Sequence, residues 1–208
     1  MPENEKIKIF ISYSHKDKEY CVELDNHLSA LKRNNIVESW QDSAIVPGEY
    51  WDTKIKKNLT EADIVVFLLS ADFLASTYIY EHEIQIAYDR HQRDEVIIVP
   101  VMVRKCVFKG TIFEQIQGLP TNLVPIVNAS WHSRDDAYFD VAERLERIIL
   151  DLKGRKENNK EIREKSEREE RERIEKEKKD LVKKELERKE PERLEKEKRN
   201  KMKYIERN

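Results

Sequence analysis

The sequence predicts a doubly wound α/β domain, a parallel sheet with helices on both faces, followed by a charged helical tail. Three observations predict it. Short apolar or β-branched runs alternate with segments of helical periodicity between residues 7 and 152. Two of those runs, Ile64–Ser70 and Val96–Val103, are continuously rich in apolar residues, as strands buried on both faces must be. The composition then shifts near Lys153: all three tryptophans lie in residues 1–153, whereas 154–208 is mostly Lys, Arg and Glu. The first part is one domain of ordinary size; the second lacks the apolar surface to build a core.

The elements follow in order. Ile7–Tyr13 is rich in β-branched and aromatic residues and reads as a strand. Ser14 then reads as a helix N-cap, with Asp17 three residues on as the capping-box acid. Cys21, Leu24, Leu28 and Leu31 recur at helical spacing. A short strand covers Val37–Trp40, and a loop over 41–50 turns at Pro47–Gly48. A helix over about 51–60 puts Trp51, Ile55 and Leu59 on one face. The strand at Ile64–Ser70 is followed by a helix from Ser76 or Tyr78 to His91. The strand at Val96–Val103 follows, and Leu123–Val127 makes a fifth. Ala137–Leu152 forms a last helix, with Val141, Leu145, Ile148 and Leu152 in register.

Charge and composition exclude several functions. Residues 1–153 carry 18 Lys+Arg against 25 Asp+Glu, a formal charge of −7; residues 154–208 carry 22 against 17, or +5. An acidic globule with a mixed-sign tail lacks the basic stripe of a nucleic-acid binder, so no nucleic-acid partner is expected. Cys21 and Cys106 form no CxxC and no metal-ligand spacing, so two reduced packing cysteines and no metal site are expected. MPENEKIKIF carries charges where a signal peptide needs its apolar stretch. The run Ile64–Leu69 is too short to span a bilayer. A soluble, cytoplasmic protein without membrane attachment is the expectation.

In open α/β sheets, ligands bind outside the carboxyl ends of the strands. The four glycines, Gly48, Gly110, Gly118 and Gly154, make neither GxGxxG nor GxxxxGK[ST], so no phosphate-cradling loop follows the first strand. What stands at the carboxyl edge instead is Tyr13 and Ser14 after the first strand, Gln41 and Asp42 after the second, and Ser70–Asp72 after the third. Glu83 lies in the early turns of the next helix, on the same edge. Glu81 and Glu83 point about 200° apart on an α-helix, so both cannot face one cleft. Glu83 reads either as a site carboxylate or as a first-turn acid favoured by the helix dipole. Asp42 bonds a sugar hydroxyl or opens the loop as an Asx-turn. Trp40 and Trp51 anchor the 41–50 loop or stack on a substrate. His15 caps or meets a phosphate; His82 and His91 have no spacing partner for a metal.

Five motifs in fixed order, FISYSHKD at 10–17, ESWQD at 38–42, IVPGEYW at 45–51, EADIVVFLLSADFLAS at 61–76 and YIYEHEIQIA after it, together resemble the bacterial type of TIR domain. The resemblance covers residues 6–152. It implies a flavodoxin-like, five-stranded parallel sheet, signalling by self-association and, as in many bacterial members, cleavage of NAD+ at the nicotinamide–ribose bond. The family's catalytic glutamate precedes the apolar residue that opens the buried stripe. That pattern selects Glu83, before Ile84, Ala87 and Tyr88, and leaves Glu81 to solvent. The NAD+-contacting set implied is Tyr13, Ser14, Gln41, Asp42, Ser76 and Ile79, with NAD+ as substrate and no cofactor. One departure stands at Ile79, where several NAD+-cleaving relatives carry a tryptophan; here Tyr78 and Tyr80 flank it.

The function implied is therefore an NAD+ hydrolase switched on by TIR self-association in prokaryotic antiviral defence or signalling. Two alternatives remain: a non-catalytic adaptor that binds another TIR or effector protein through the 41–50 loop, and a cyclase that closes the ADP-ribose into a messenger. In the tail, pairs such as Glu164–Arg168, Glu167–Arg171, Glu172–Lys176 and Glu175–Lys179 favour helix over 155–190. Ile174, Leu181 and Leu186 are sparse for a coiled-coil seam, which leaves an isolated charged helix or a weak coiled coil. Pro191 is expected to end or kink the helix.

Overall fold

The computed structural model describes residues 6–40 and 51–205. The 41–50 loop, with Gln41, Asp42 and the Pro47–Gly48 turn, lies outside the described residues, as does the side chain of Trp51. The chain divides into two compact units, Met1–Lys153 and Gly154–Asn208.

In the first unit, four parallel strands form one sheet: β1 Ile7–Ser12, β2 Val37–Trp40, β3 Ile64–Leu69 and β4 Ile97–Met102, in spatial order β2-β1-β3-β4. The reversal of order between β2 and β3, on either side of β1, places a switch point at the carboxyl end of β1. Pairing registers such as Phe10 with Trp40 and with Val65 hold these ends level. The pleat sends alternate residues to opposite faces. Ile7, Ile9, Ile11, Ile64, Val66 and Leu68 pack beneath α1 (Lys18–His27), α2 (Ser29–Arg33) and the start of α6 (Arg134–Ile205). Phe10, Val65, Phe67 and Leu69 pack beneath α3 (Trp51–Glu61), α4 (Ala71–Leu74), a π-helical segment Ile79–Ile84 and α5 (Gln85–His91). The final helix buries Ala137, Tyr138, Val141, Leu145 and Ile149 against the first of these layers; Ile148 and Leu152 are only partly buried.

The structure departs from the sequence reading at four places. The sheet has four strands among the described residues, not five. Residues 119–127 do run along β4: Leu119 pairs with Val101, and the Ile126 and Val127 amides donate to the Met102 and Val103 carbonyls at 2.9 and 3.0 Å. Pro120 and Pro125 lack the donors a ladder needs, and Asn122 and Leu123 at φ 58° and 56° turn the chain between the two contacts. The helix expected from Ser76 or Tyr78 does start there, with Thr77 and Tyr78 helical, but Ile79–Ile84 is wound as π-helix before the α-helical winding resumes at Gln85. Asp17 does not close a capping box: Ser14 has the extended backbone of an N-cap, at φ −72° and ψ 140°, but its side chain makes no cap hydrogen bond. Finally, the last helix runs through Pro191 to Ile205 instead of ending there. Proline removes one helical hydrogen bond, and Lys, Glu, Arg and Leu on both sides keep high helix propensity.

In the second unit, two of the four expected ion pairs form, Glu167–Arg171 at 3.6 Å and Glu175–Lys179 at 2.6 Å. Arg168 meets Glu172 instead of Glu164. Ile162, Ile174, Leu181 and Val182 are exposed.

Candidate functional site

The carboxyl edge of the sheet is built around one buried acid. Ser12 ends β1, and Tyr13 is buried while Ser14 is half-exposed. A single 3₁₀ turn, His15–Asp17, follows, closed by the Asp17 amide donating to the Ser14 carbonyl at 2.6 Å. The Asp17 side chain is fully buried. Its Oδ2 accepts from Ser70 Oγ at 2.5 Å; its Oδ1 accepts from Arg104 Nε at 2.9 Å and Nη2 at 2.7 Å. Arg104 Nη2 also donates to Asp72 Oδ2 at 2.6 Å, and Lys16 Nζ donates to Asp72 Oδ1 at 2.7 Å. Ser70 Oγ in turn accepts from the Phe73 amide at 3.0 Å and so caps α4. Residues that follow β1, β3 and β4 are thus tied into one polar cluster.

The electrostatics of the cluster follow from these bonds. Hydrogen bonds to Asp72 and then Asp17 hold the Arg104 guanidinium well above its ordinary range. Those from Lys16 and then Arg104 hold the Asp72 carboxyl below its own. Asp17 and Arg104 lie 87 positions apart, and the sequence reading missed them as partners. The available signal was a charge set directly after the buried run of β4, at the same edge as the strand-end aspartate.

Glu83 belongs to the π-helical segment, a winding frequent at functional sites. It is 6 % exposed, between the buried Ile84 and the partly exposed His82, while Glu81 is exposed. Ser76 is half-buried, and its Oγ accepts from the Ile79 amide at 3.4 Å, leading the chain into the π-helix. Ile79 is buried in the same apolar layer as Phe10, Ile55 and Ile84. Tyr78 packs its ring 4.8 Å from His82, and Tyr80 is 60 % exposed. Trp40 stacks on Phe10 at 5.2 Å, an anchor just ahead of the 41–50 segment. His15 is exposed, and His91 Nδ1 lies 3.0 Å from the Val96 carbonyl. No group of three His, Cys, Asp or Glu among the described residues could hold a metal ion.

Of the residues the sequence singles out, Tyr13 and Ser14 thus stand after β1, and Ser70 and Asp72 after β3; Asp17 links the Ser14 carbonyl to Ser70, and Arg104 links Asp17 to Asp72. Ser76, Ile79 and Glu83 share the segment between α4 and α5.

The TIR domain family profile matches residues 9–145. This chain belongs to the TIR domain family. It is 36 % identical over 137 residues to the uncharacterized protein y4lF of Sinorhizobium fredii (strain NBRC 101917 / NGR234), a match covering 66 % of this chain and 42 % of that protein. The chain therefore spans about two fifths of the length of that relative. Among solved structures, it is similar to the TIR domain of the Toll-related receptor TRR-2 from Hydra magnipapillata, at 15 % identity and a TM-score of 0.40, over 57 % of this chain and 89 % of that one. It is also similar to the TIR domains of the activated Roq1 resistosome directly recognizing the pathogen effector XopQ, at 21 % identity and a TM-score of 0.42, over 66 % and 84 %. Among the described residues no helix is long and apolar enough to cross a membrane.

Proposed function

We propose that this TIR domain cleaves the nicotinamide–ribose bond of NAD+, with Glu83 as the catalytic carboxylate and self-association as the switch. The observation that carries the reading is the state of Glu83: a carboxylate 6 % exposed, in a π-helical turn that packs over the sheet. Cleavage breaks the bond between ribose C1′ and the pyridinium nitrogen, and the electron pair leaves with nicotinamide, neutralising its ring. No general acid is needed. The positive charge that develops is an oxocarbenium ion on the ribose, and water adds at C1′ with loss of a proton to solvent. A fixed carboxylate near that cation lowers the barrier, and a water-poor setting makes the effect larger; such contributions reach about 3–4 kcal/mol.

Tyr13 and Ser14 at the end of β1, Gln41 and Asp42 after β2, and Ser76 with Ile79 ahead of Glu83 are the NAD+-contacting set of this reading. TIR family membership adds self-association, and a cleft completed by a neighbouring domain makes activity depend on assembly. The cellular setting that goes with it is prokaryotic defence signalling in the cytoplasm. A second reading, a non-catalytic adaptor, draws support from Ile79, which is buried in the core where an aromatic wall would face substrate. Incubation of the full chain with NAD+ across a wide range of protein concentrations, with products resolved by chromatography, tests both. Nicotinamide and ADP-ribose, formed with specific activity that rises with concentration, are expected. A cyclised ADP-ribose makes the protein a cyclase, and intact NAD+ at every concentration leaves the adaptor.

A further inference from the structure

We infer that Arg104 is a positioning residue for the NAD+-cleaving site, acting through Asp17 to fix the Tyr13–Ser14 loop relative to the segment that carries Glu83. The inference rests on the NAD+-cleavage reading and adds a residue that neither sequence pattern nor family motif selected.

Asp17 is the junction of the cluster. Its amide closes the turn on Ser14, its Oδ2 takes the Ser70 hydroxyl, and its Oδ1 takes two donors from Arg104. Ser70 passes the constraint on, because its Oγ also receives the Phe73 amide and so sets the start of α4. Five residues beyond Leu69, α4 ends at Leu74; Ser76 then receives the Ile79 amide, and the π-helix bearing Glu83 begins. An ordered chain of bonds therefore runs from the loop after β1 to the helix of the candidate catalytic carboxylate.

Stability alone does not account for it. A buried ion pair is a weak stability device, since apolar side chains of similar volume often do as well or better. What such a pair supplies is a defined geometry. The guanidinium does this here in a way an ammonium cannot: Nε and Nη2 converge on one oxygen of Asp17 while Nη2 also reaches Asp72, which sets the plane of the fork. The cluster also sits on the carboxyl edge of the sheet, at the switch point beside β1, where doubly wound folds bind their ligands. Arg104 is 33 % exposed on its side chain, so it is accessible to a small cation from solvent once removed.

The test compares the full-length wild type with Arg104→Lys and Arg104→Ala, assayed for nicotinamide release below the unfolding midpoint of each variant. Arg104→Lys keeps the charge and is the variant that holds the fold should Arg104→Ala fail to. A displaced loop costs turnover, so kcat per folded molecule should fall about 10- to 100-fold in both while KM stays within about threefold. Guanidinium chloride, far below denaturing concentration, should restore part of kcat in Arg104→Ala and none in Arg104→Lys. Lowered melting temperature with unchanged kcat in the folded variants overturns the inference and leaves NAD+ cleavage standing. A folded wild type that releases no nicotinamide takes the cleavage reading and the positioning role down together.

Discussion

Replacing Arg104 by methionine should destabilise the first unit by about 3 kcal/mol at neutral pH. Methionine keeps the length of the apolar stem and removes the guanidinium. Asp17 is fully buried, so its carboxylate is left with Ser70 as the remaining side-chain partner among those described above. Breaking a buried pair by deleting one member costs about 3–5 kcal/mol. The lower end applies because Arg104 is 33 % exposed on its side chain and water can replace part of what is lost. For a domain of this size, about 3 kcal/mol corresponds to a fall of about 6–12 °C in melting temperature. Urea unfolding followed by tryptophan fluorescence is the appropriate assay, because all three tryptophans lie in residues 1–153 and the tail stays silent. The double variant Asp17→Asn with Arg104→Met removes the stranded charge and should recover at least half of the loss. A single variant within about 1 kcal/mol of wild type, or a double variant that loses the sum of the two single losses, refutes the reasoning.

Three further outcomes are expected. Ser12 is 2 % exposed and its Oγ has no hydrogen-bond partner among the described residues, so Ser12→Ala should stabilise the domain by about 1 kcal/mol in the same unfolding assay. Burial alone would raise the Asp140 carboxyl, but the side-chain and backbone donors of Thr121, with Arg144, bring it below its ordinary range. A depressed carboxylate contributes stability above its unfolded pKa, about 3.9, and loses it as pH falls through the lower folded value. The stability gap between wild type and Asp140→Asn should thus be widest near neutral pH and close in acid below about pH 4; a gap independent of pH would contradict it. Truncation after Lys153 keeps every residue of the last helix that is buried among the described residues, from Ala137 to Ile149, and should change unfolding free energy by less than about 1 kcal/mol, while the isolated tail should lose helicity at high salt as its exposed ion pairs are screened.

The runs of β3 and β4 were legible because burial on both faces demands continuous apolar sequence, and Ile64–Leu69 has no other plausible use, whereas Ile7–Ser12 shows through its β-branched and aromatic residues. Residues 123–127 looked alike on composition, but strand pairing depends on donors and backbone angles, and Pro120, Pro125 and the left-handed Asn122 and Leu123 withdraw both. The edge of the sheet could be located from strand ends, and the contrast between Glu81 and Glu83 from helical periodicity. Asp17 could not be read correctly in the same way. Its local context offers a helix cap, and only the tertiary approach of Arg104 and Ser70 outbids that role. A partner 87 positions away leaves no periodic trace in the chain. The π-helical winding is equally invisible, since it changes hydrogen-bond pairing without changing which residue types suit a helix. At Pro191 the local signal to end the helix is overridden by helix-forming neighbours on both sides.

The central claim is that Glu83 cleaves NAD+, and replacing that one carboxylate by its isosteric amide tests it most directly. Nicotinamide release should be measured for wild type, Glu83→Gln and Glu81→Gln at one protein concentration, each variant first shown to unfold at the wild-type urea midpoint. Glu83→Gln keeps shape and removes charge, so release should fall at least about 100-fold; Glu81→Gln, at an exposed position two residues away, should stay within about twofold of wild type. Undiminished release by a folded Glu83→Gln protein, or loss in Glu81→Gln instead, would contradict the account.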